Sequence, residues 1–170
     1  MITGPEWKDT CETIALLPSV CLHLPGANFP CRDSVATLNR CLFYSHTRLC
    51  VGLHVPGTTL AAEMLQGAWC PRVEKLSLSF ANCHLTDEMI RSLCSRIPSG
   101  FPLLNHLDLD ISQNPLITSS GMLTVVQQLT LLPAGLVLKL FFPHSILDVW
   151  GDSLRQHSGM QGWTMTLTET

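Results

Sequence analysis

Pairs of apolar residues flanking a single polar one recur along the chain. They are Leu22-His23-Leu24, Leu53-His54-Val55, Leu76-Ser77-Leu78, Leu107-Asp108-Leu109, Leu138-Lys139-Leu140 and Met165-Thr166-Leu167. Their first residues are spaced by 31, 23, 31, 31 and 27 positions. Alternation with a period of two marks a strand with one buried face. The first two segments share more, since Leu22-His23-Leu24-Pro25-Gly26 is echoed by Leu53-His54-Val55-Pro56-Gly57. The pattern predicts strands near 20–24, 51–55, 74–78, 105–109 and 136–140, with a Thr-rich edge strand at 163–168.

The stretches between these strands change to helical spacing. Pro30 to Tyr44 places Val35, Leu38 and Leu42 on one face, and Thr58 to Gln66 carries Ala61, Ala62, Met64 and Leu65. Thr86 is placed to cap a helix over Asp87–Ile97 that buries Ile90, Leu93 and Ile97, with Asp87 and Glu88 at its positive end. Ser119 or Ser120 opens the next helix, with Met122, Val125, Val126 and Leu129 inward. His144 to His157 gives the last, with Leu147, Trp150 and Leu154 inward. Pro98, Pro102 and Pro133 fall between units, where a helix must stop. Ahead of the first strand, residues 1–18 hold a capping helix, Glu6–Leu17, whose Trp7, Ile14 and Leu17 cover that strand.

One strand–helix unit of this length cannot bury both its faces, whereas stacked neighbours can. The expectation is therefore an α/β solenoid over residues 1–170. It is a single domain with parallel strands on a concave face and helices on the convex one. A doubly wound α/β fold would instead show longer buried strands and a Gly-rich phosphate loop, and neither is visible.

Two units carry a finer signature. Leu76-x-Leu78 is followed by Asn82-Cys83-His84-Leu85-Thr86, and Leu104-x-x-Leu107-x-Leu109 by Asn114-x-Leu116-Ile117-Thr118-Ser119-Ser120-Gly121. Together they resemble the leucine-rich repeats of the ribonuclease-inhibitor type. Similar repeats occur in nucleotide-sensing innate receptors and in Ran GTPase-activating proteins. The resemblance is closest over about residues 73–132, and the outer units share only period and strand pattern. The 23-residue step and the longer turn at Asp110-Ile111-Ser112-Gln113 depart from it. It implies a short horseshoe, an Asn or Cys that turns the chain by bonding loop backbone, and protein–protein binding with no narrower partner.

Composition narrows the function classes. The chain is 46% apolar and only 14% charged, against roughly a quarter charged in an ordinary soluble domain. Part of such a surface is expected to be covered by a partner. A net charge of -3 offers no basic field for nucleic acid. No apolar run approaches a membrane span. Eight cysteines follow a start, Met1–Thr10, that carries Glu6, Lys8 and Asp9 and lacks an apolar signal core. Reduced thiols and a cytoplasmic setting are expected.

If the apolar pairs point inward, the alternate residues form one continuous face. Partner contacts are then expected at His23, His54, Lys75, Ser77, Ser79, His106, Asp108, Asp110, Lys139 and Phe141. A second contact is expected at the C-terminal edge, at Phe142 and Trp163. Cys21, His23 and His54 supply three ligands on a flat face where zinc wants four in a tetrahedron, so no metal or cofactor is assigned. Ser77, His106 and Asp108 sit on neighbouring strands, yet no oxyanion hole or nucleophile elbow accompanies them. Arg32 is the one arginine near the first loop that could act on a GTPase, and a helix start suits it as well. The resulting reading is a non-enzymatic module that binds a protein partner. The alternative is a structural subunit buried in a larger assembly.

Overall fold

The alternating segments form one sheet. A computed structural model describes residues 12–25, 32–43, 49–57, 70–142, 152, 155–156, 162 and 164–169. The strands are β1 (Ser19–His23), β2 (Cys50–His54), β3 (Lys75–Ser79), β4 (His106–Asp110), β5 (Val137–Phe142) and β6 (Thr164–Glu169). They lie in sequential order, and each is parallel to the next. The first five begin within one residue of their expected starts. Parallel neighbours need a crossover between them, and the helical stretches provide the chain length for it.

Register explains which residues are inward. Val20, Val51, Leu76, Leu107, Leu138 and Met165 align across the sheet, as do Leu22, Leu53, Leu78, Leu109, Leu140 and Leu167. From β2 to β5 both rows are buried. Burial of each such side chain contributes about 1.5–3 kcal/mol. In β1 the burial shifts to Val20, and Leu22 and Leu24 are only partly covered.

Four described helices pack into the same core: α1 (Arg32–Phe43), α2 (Asp87–Cys94), α3 (Arg96–Gly100) and α4 (Ser119–Leu129). Helix α1 buries Val35, Leu38, Leu42 and Phe43. Thr86 caps α2, its hydroxyl accepting from the Met89 amide, and α2 buries Ile90, Leu93 and Cys94. Helix α4 begins at Ser119, the first of the two expected starts, and its cap is Thr118, whose hydroxyl accepts from the Ser120 amide. The expected helix over Asp87–Ile97 is interrupted at Ser95, and Pro98 lies inside α3 rather than beyond a helix. A proline is tolerated there because amides in a first turn have no intrahelical acceptor to lose.

Two expectations about the ends change. Phe142 is fully buried. It continues the inward row formed by Val55, Phe80 and Ile111, so it belongs to the core and is not an exposed edge contact. Ile14 is buried as expected, but Leu17 is exposed and does not cover β1. Trp7, Trp163, the helix expected over Thr58–Gln66 and most of that over His144–His157 lie outside the described residues; Asp152, Arg155 and Gln156 are helical.

Beyond the strand ends the units remain in register. The Gly57 amide donates to Ala81 O and the Asn82 amide to Ser112 O. Gly57, Asn82 and Gln113, equivalent by these bonds, all take positive φ, at 75°, 53° and 55°. That left-handed conformation turns the chain out of the sheet toward the helix layer.

Candidate functional site

Among the described residues, polar side chains from many strands converge on the face of the sheet away from the core. Three rows build it. Cys50, Lys75, His106 and Val137 form the first, Gly52, Ser77, Asp108 and Lys139 the second, and His54, Ser79, Asp110 and Phe141 the third. On β1 these rows continue into Ser19, Cys21 and His23, and on β6 into Thr164, Thr166 and Thr168. Parallel strands spaced about 4.8 Å apart bring such neighbours into side-chain contact.

Most of these side chains are joined in pairs. His54 Nε2 lies 3.0 Å from Ser77 Oγ. The His23 and His54 rings are tilted against one another at 53°, with centroids 5.9 Å apart. Ser79 Oγ donates to Asp110 Oδ2 at 2.8 Å, and Ser112 donates to Asp110 Oδ1 from its amide at 3.1 Å and its hydroxyl at 2.6 Å. His106 Nε2 lies 3.0 Å from Asp108 Oδ1, and Lys139 Nζ lies 3.9 Å from that same oxygen. Lys75 and His23 have no hydrogen-bond or ion-pair partner among the described residues.

Burial lowers the His54 pKa most, with the neighbouring His23 acting in the same direction. Asp110 and Asp108 oppose the shift without reversing it. The ring is thus held neutral at neutral pH, where it can serve as either donor or acceptor for Ser77.

Near the N-terminal ends of β1 to β4 the face dips into an open groove of about 240 Å³. Its walls include Cys21, Cys50, Ser77, His106 and Asp108. The dip exists because Gly52 has no side chain and Cys21 leans over it. A Cβ on Gly52 would come within 2.6 Å of the Cys21 Sγ. Sequence reasoning missed this groove. The signal was the lone glycine within a strand, which commonly marks a close approach.

The expected site residues divide accordingly. His23, His54, Ser77, Ser79, His106, Asp108, Asp110 and Lys139 are brought into the linked pairs just described, and Lys75 stands at their edge. Phe141 is half-buried beside Asp110 in the row. Ser112, not anticipated, completes the environment of Asp110. Ser77, His106 and Asp108 do not align into a relay, because Ser77 is bonded to His54 and His106 to Asp108. Among the described residues no three His, Cys, Asp or Glu side chains are spaced to hold a metal ion.

Behind this face the units are bonded together. Asn114, fully buried, accepts from the Cys83 and Leu85 amides at 3.0 and 2.9 Å. Its side-chain amide donates to Phe80 O, Ile111 O and Ser112 O. One unit earlier, Cys83 holds the equivalent place, its Sγ 3.2 Å from Val55 O and 3.4 Å from Ala81 O. No protein-family model matches the chain, and no curated protein matches it.

Proposed function

We propose that this chain is a leucine-rich-repeat-type solenoid that serves as a protein-binding module, docking its partner on the open face of the sheet. The observation that carries the reading is the open face itself. It spans the described strands and carries an ordered set of His, Ser, Asp and Lys side chains, most of them fixed by hydrogen bonds to one another. Side chains already fixed in place lose little entropy on binding, which favours recognition. The sequential parallel order and the Cys83–Asn114 ladder support the repeat reading. An Asn or Cys in that role is what the resemblance implied.

No described helix is long and apolar enough to cross a membrane. Cys70, Cys83 and Cys94 are buried, and no disulfide joins two of the six described cysteines. A reducing, cytoplasmic setting accommodates them.

The test is capture of partners by the purified chain, compared with a variant carrying Ser77→Arg and Lys139→Glu on the open face. The expected result is that specific partners are lost from the variant while its thermal midpoint changes little. Undiminished capture would move the docking surface to the helical side or to the edge of β6.

A further inference from the structure

The carboxylates of the open face are already occupied from within. Asp110 accepts from Ser79 and twice from Ser112, while Asp108 faces His106 and Lys139. The donors are not occupied in the same way. Lys75 and His23 lack hydrogen-bond or ion-pair partners among the described residues, and His54 holds only a neutral hydroxyl beside the His23 ring. Of the lysines and aspartates on the face, Lys75 alone lacks such a partner among the described residues, since Lys139 lies against Asp108. The capacity left for a newcomer is therefore for a hydrogen-bond acceptor carrying negative charge.

We propose that the open face docks an extended, carboxylate-rich segment of a partner protein across β1 to β3, over Lys75 and the His23–His54 pair, and that its grip strengthens as pH falls. This rests on the docking reading above and names the partner's chemistry.

The groups facing His54 decide the pH response. His23 approaches from β1, and Asp108 and Asp110 act from β4. Beside it on β3 stand Ser77 and Ser79, neither of which titrates in this range, with Lys75 further along that strand. In the free protein His54 resists protonation, through burial and through the facing His23 ring. A carboxylate laid over the pair would reverse that bias, because a nearby negative charge favours the imidazolium. By linkage, docking then takes up protons, and acid strengthens docking.

The probe is an octapeptide of alternating Glu and Ser. Two controls replace its Glu by Gln or by Lys. Affinity and histidine ring NMR shifts are measured at about pH 7.5 and about pH 5.5, on either side of the ordinary histidine range. The expected result is that the Glu peptide shifts the His23 and His54 signals and binds more tightly at the lower pH. The gain should be roughly three- to tenfold, as two exposed ion pairs would give. Lys75→Gln should weaken it at both pH values, and His23→Gln with His54→Gln should flatten the pH dependence. The ring shifts of the unaltered protein report the same event if a variant folds poorly. Equal affinity for the Glu and Gln peptides, or no gain in acid, overturns the proposal. If the Lys peptide binds this face more tightly, the acidic-partner proposal fails while the docking reading stands. If binding peptides shift only helix-side residues, both fail.

Discussion

At the scale of single residues, Asn114 carries the heaviest hydrogen-bonding duty. Its oxygen accepts from two amides and its two N–H bonds are shared among three carbonyls from two successive turns, all without solvent. A buried donor or acceptor left unpaired costs about 1–3 kcal/mol. Asn114→Ala strands several at once, so a loss of at least about 3 kcal/mol is expected, read as a lowered denaturant midpoint. Asn114→Asp is informative beside it. It keeps the acceptor for Cys83 and Leu85 but removes the donor to the carbonyls, and it should fall between Ala and the native protein near the pH where it is protonated. A midpoint unmoved by the Ala change would mean that water replaces the side chain. The residue's kind was legible in the sequence, where Asn82-Cys83 and Asn114 mark the two central units. Which Asn is buried was not. Asn82 is exposed with positive φ, and only the inter-unit bonds reveal that Cys83, and not Asn82, is the counterpart of Asn114.

At the scale of elements, helices α2 and α4 are joined at their N-terminal ends. Asp87, in the first turn of α2, accepts from the Thr118 amide at 2.8 Å and from the Thr118 hydroxyl at 2.5 Å. One carboxylate thus sits at the positive ends of two helices, which favours its charge. Gly121 leaves room for it, since a Cβ there would collide with the Asp87 carboxylate as it stands. Partial burial, the largest influence on Asp87, raises its pKa. The bonds from Thr118 and Gly121 and the charge of Arg91 outweigh it, so the pKa lies below its ordinary value. A depressed carboxyl pKa stabilises the fold above the unfolded value, and that contribution is lost as pH falls through the folded one. Asp87→Asn should therefore lower stability at neutral pH, and the gap from the native protein should close as pH drops below about 4. Thermal melts across that range read it directly. A gap independent of pH would assign the effect to shape and not to charge. Both helices were legible from Thr86, Asp87 and the apolar spacing. Their junction was not, because it depends on two residues 31 positions apart meeting across units.

For the whole molecule, sequential strand order makes the sheet a chain of nearest neighbours, in which β4 is held by β3 and β5. That order was legible from the recurrent apolar pairs, since a shift of one residue would turn every inward side chain to the open face. The buried Phe142 was misread because it was assigned to the C-terminal edge without regard to the alternation. The alternation through Leu138 and Leu140 places Phe141 outward and Phe142 inward, so the edge assignment of Phe142 went against the period that was legible. Register is also what a core substitution can test. Leu109 is fully buried, aligned with Leu78 on one side and Leu140 on the other. Leu109→Ala removes packing on both interfaces and should cost about 2–5 kcal/mol. In a domain of this size each kcal/mol moves the thermal midpoint by about 2–4 °C, so a drop of several degrees at the least is expected. Ser77→Ala, one strand away but on the open face, should shift it far less, because Ser77 gives up a single half-buried hydrogen bond. If the units act as one cooperative body, the Leu109→Ala melt stays a single transition at the lower temperature. If coupling through β4 is weak, the melt splits, with the units on either side of β4 unfolding apart. An unmoved midpoint would mean that Leu109 does not face the core, and the register of the whole sheet would have to change with it.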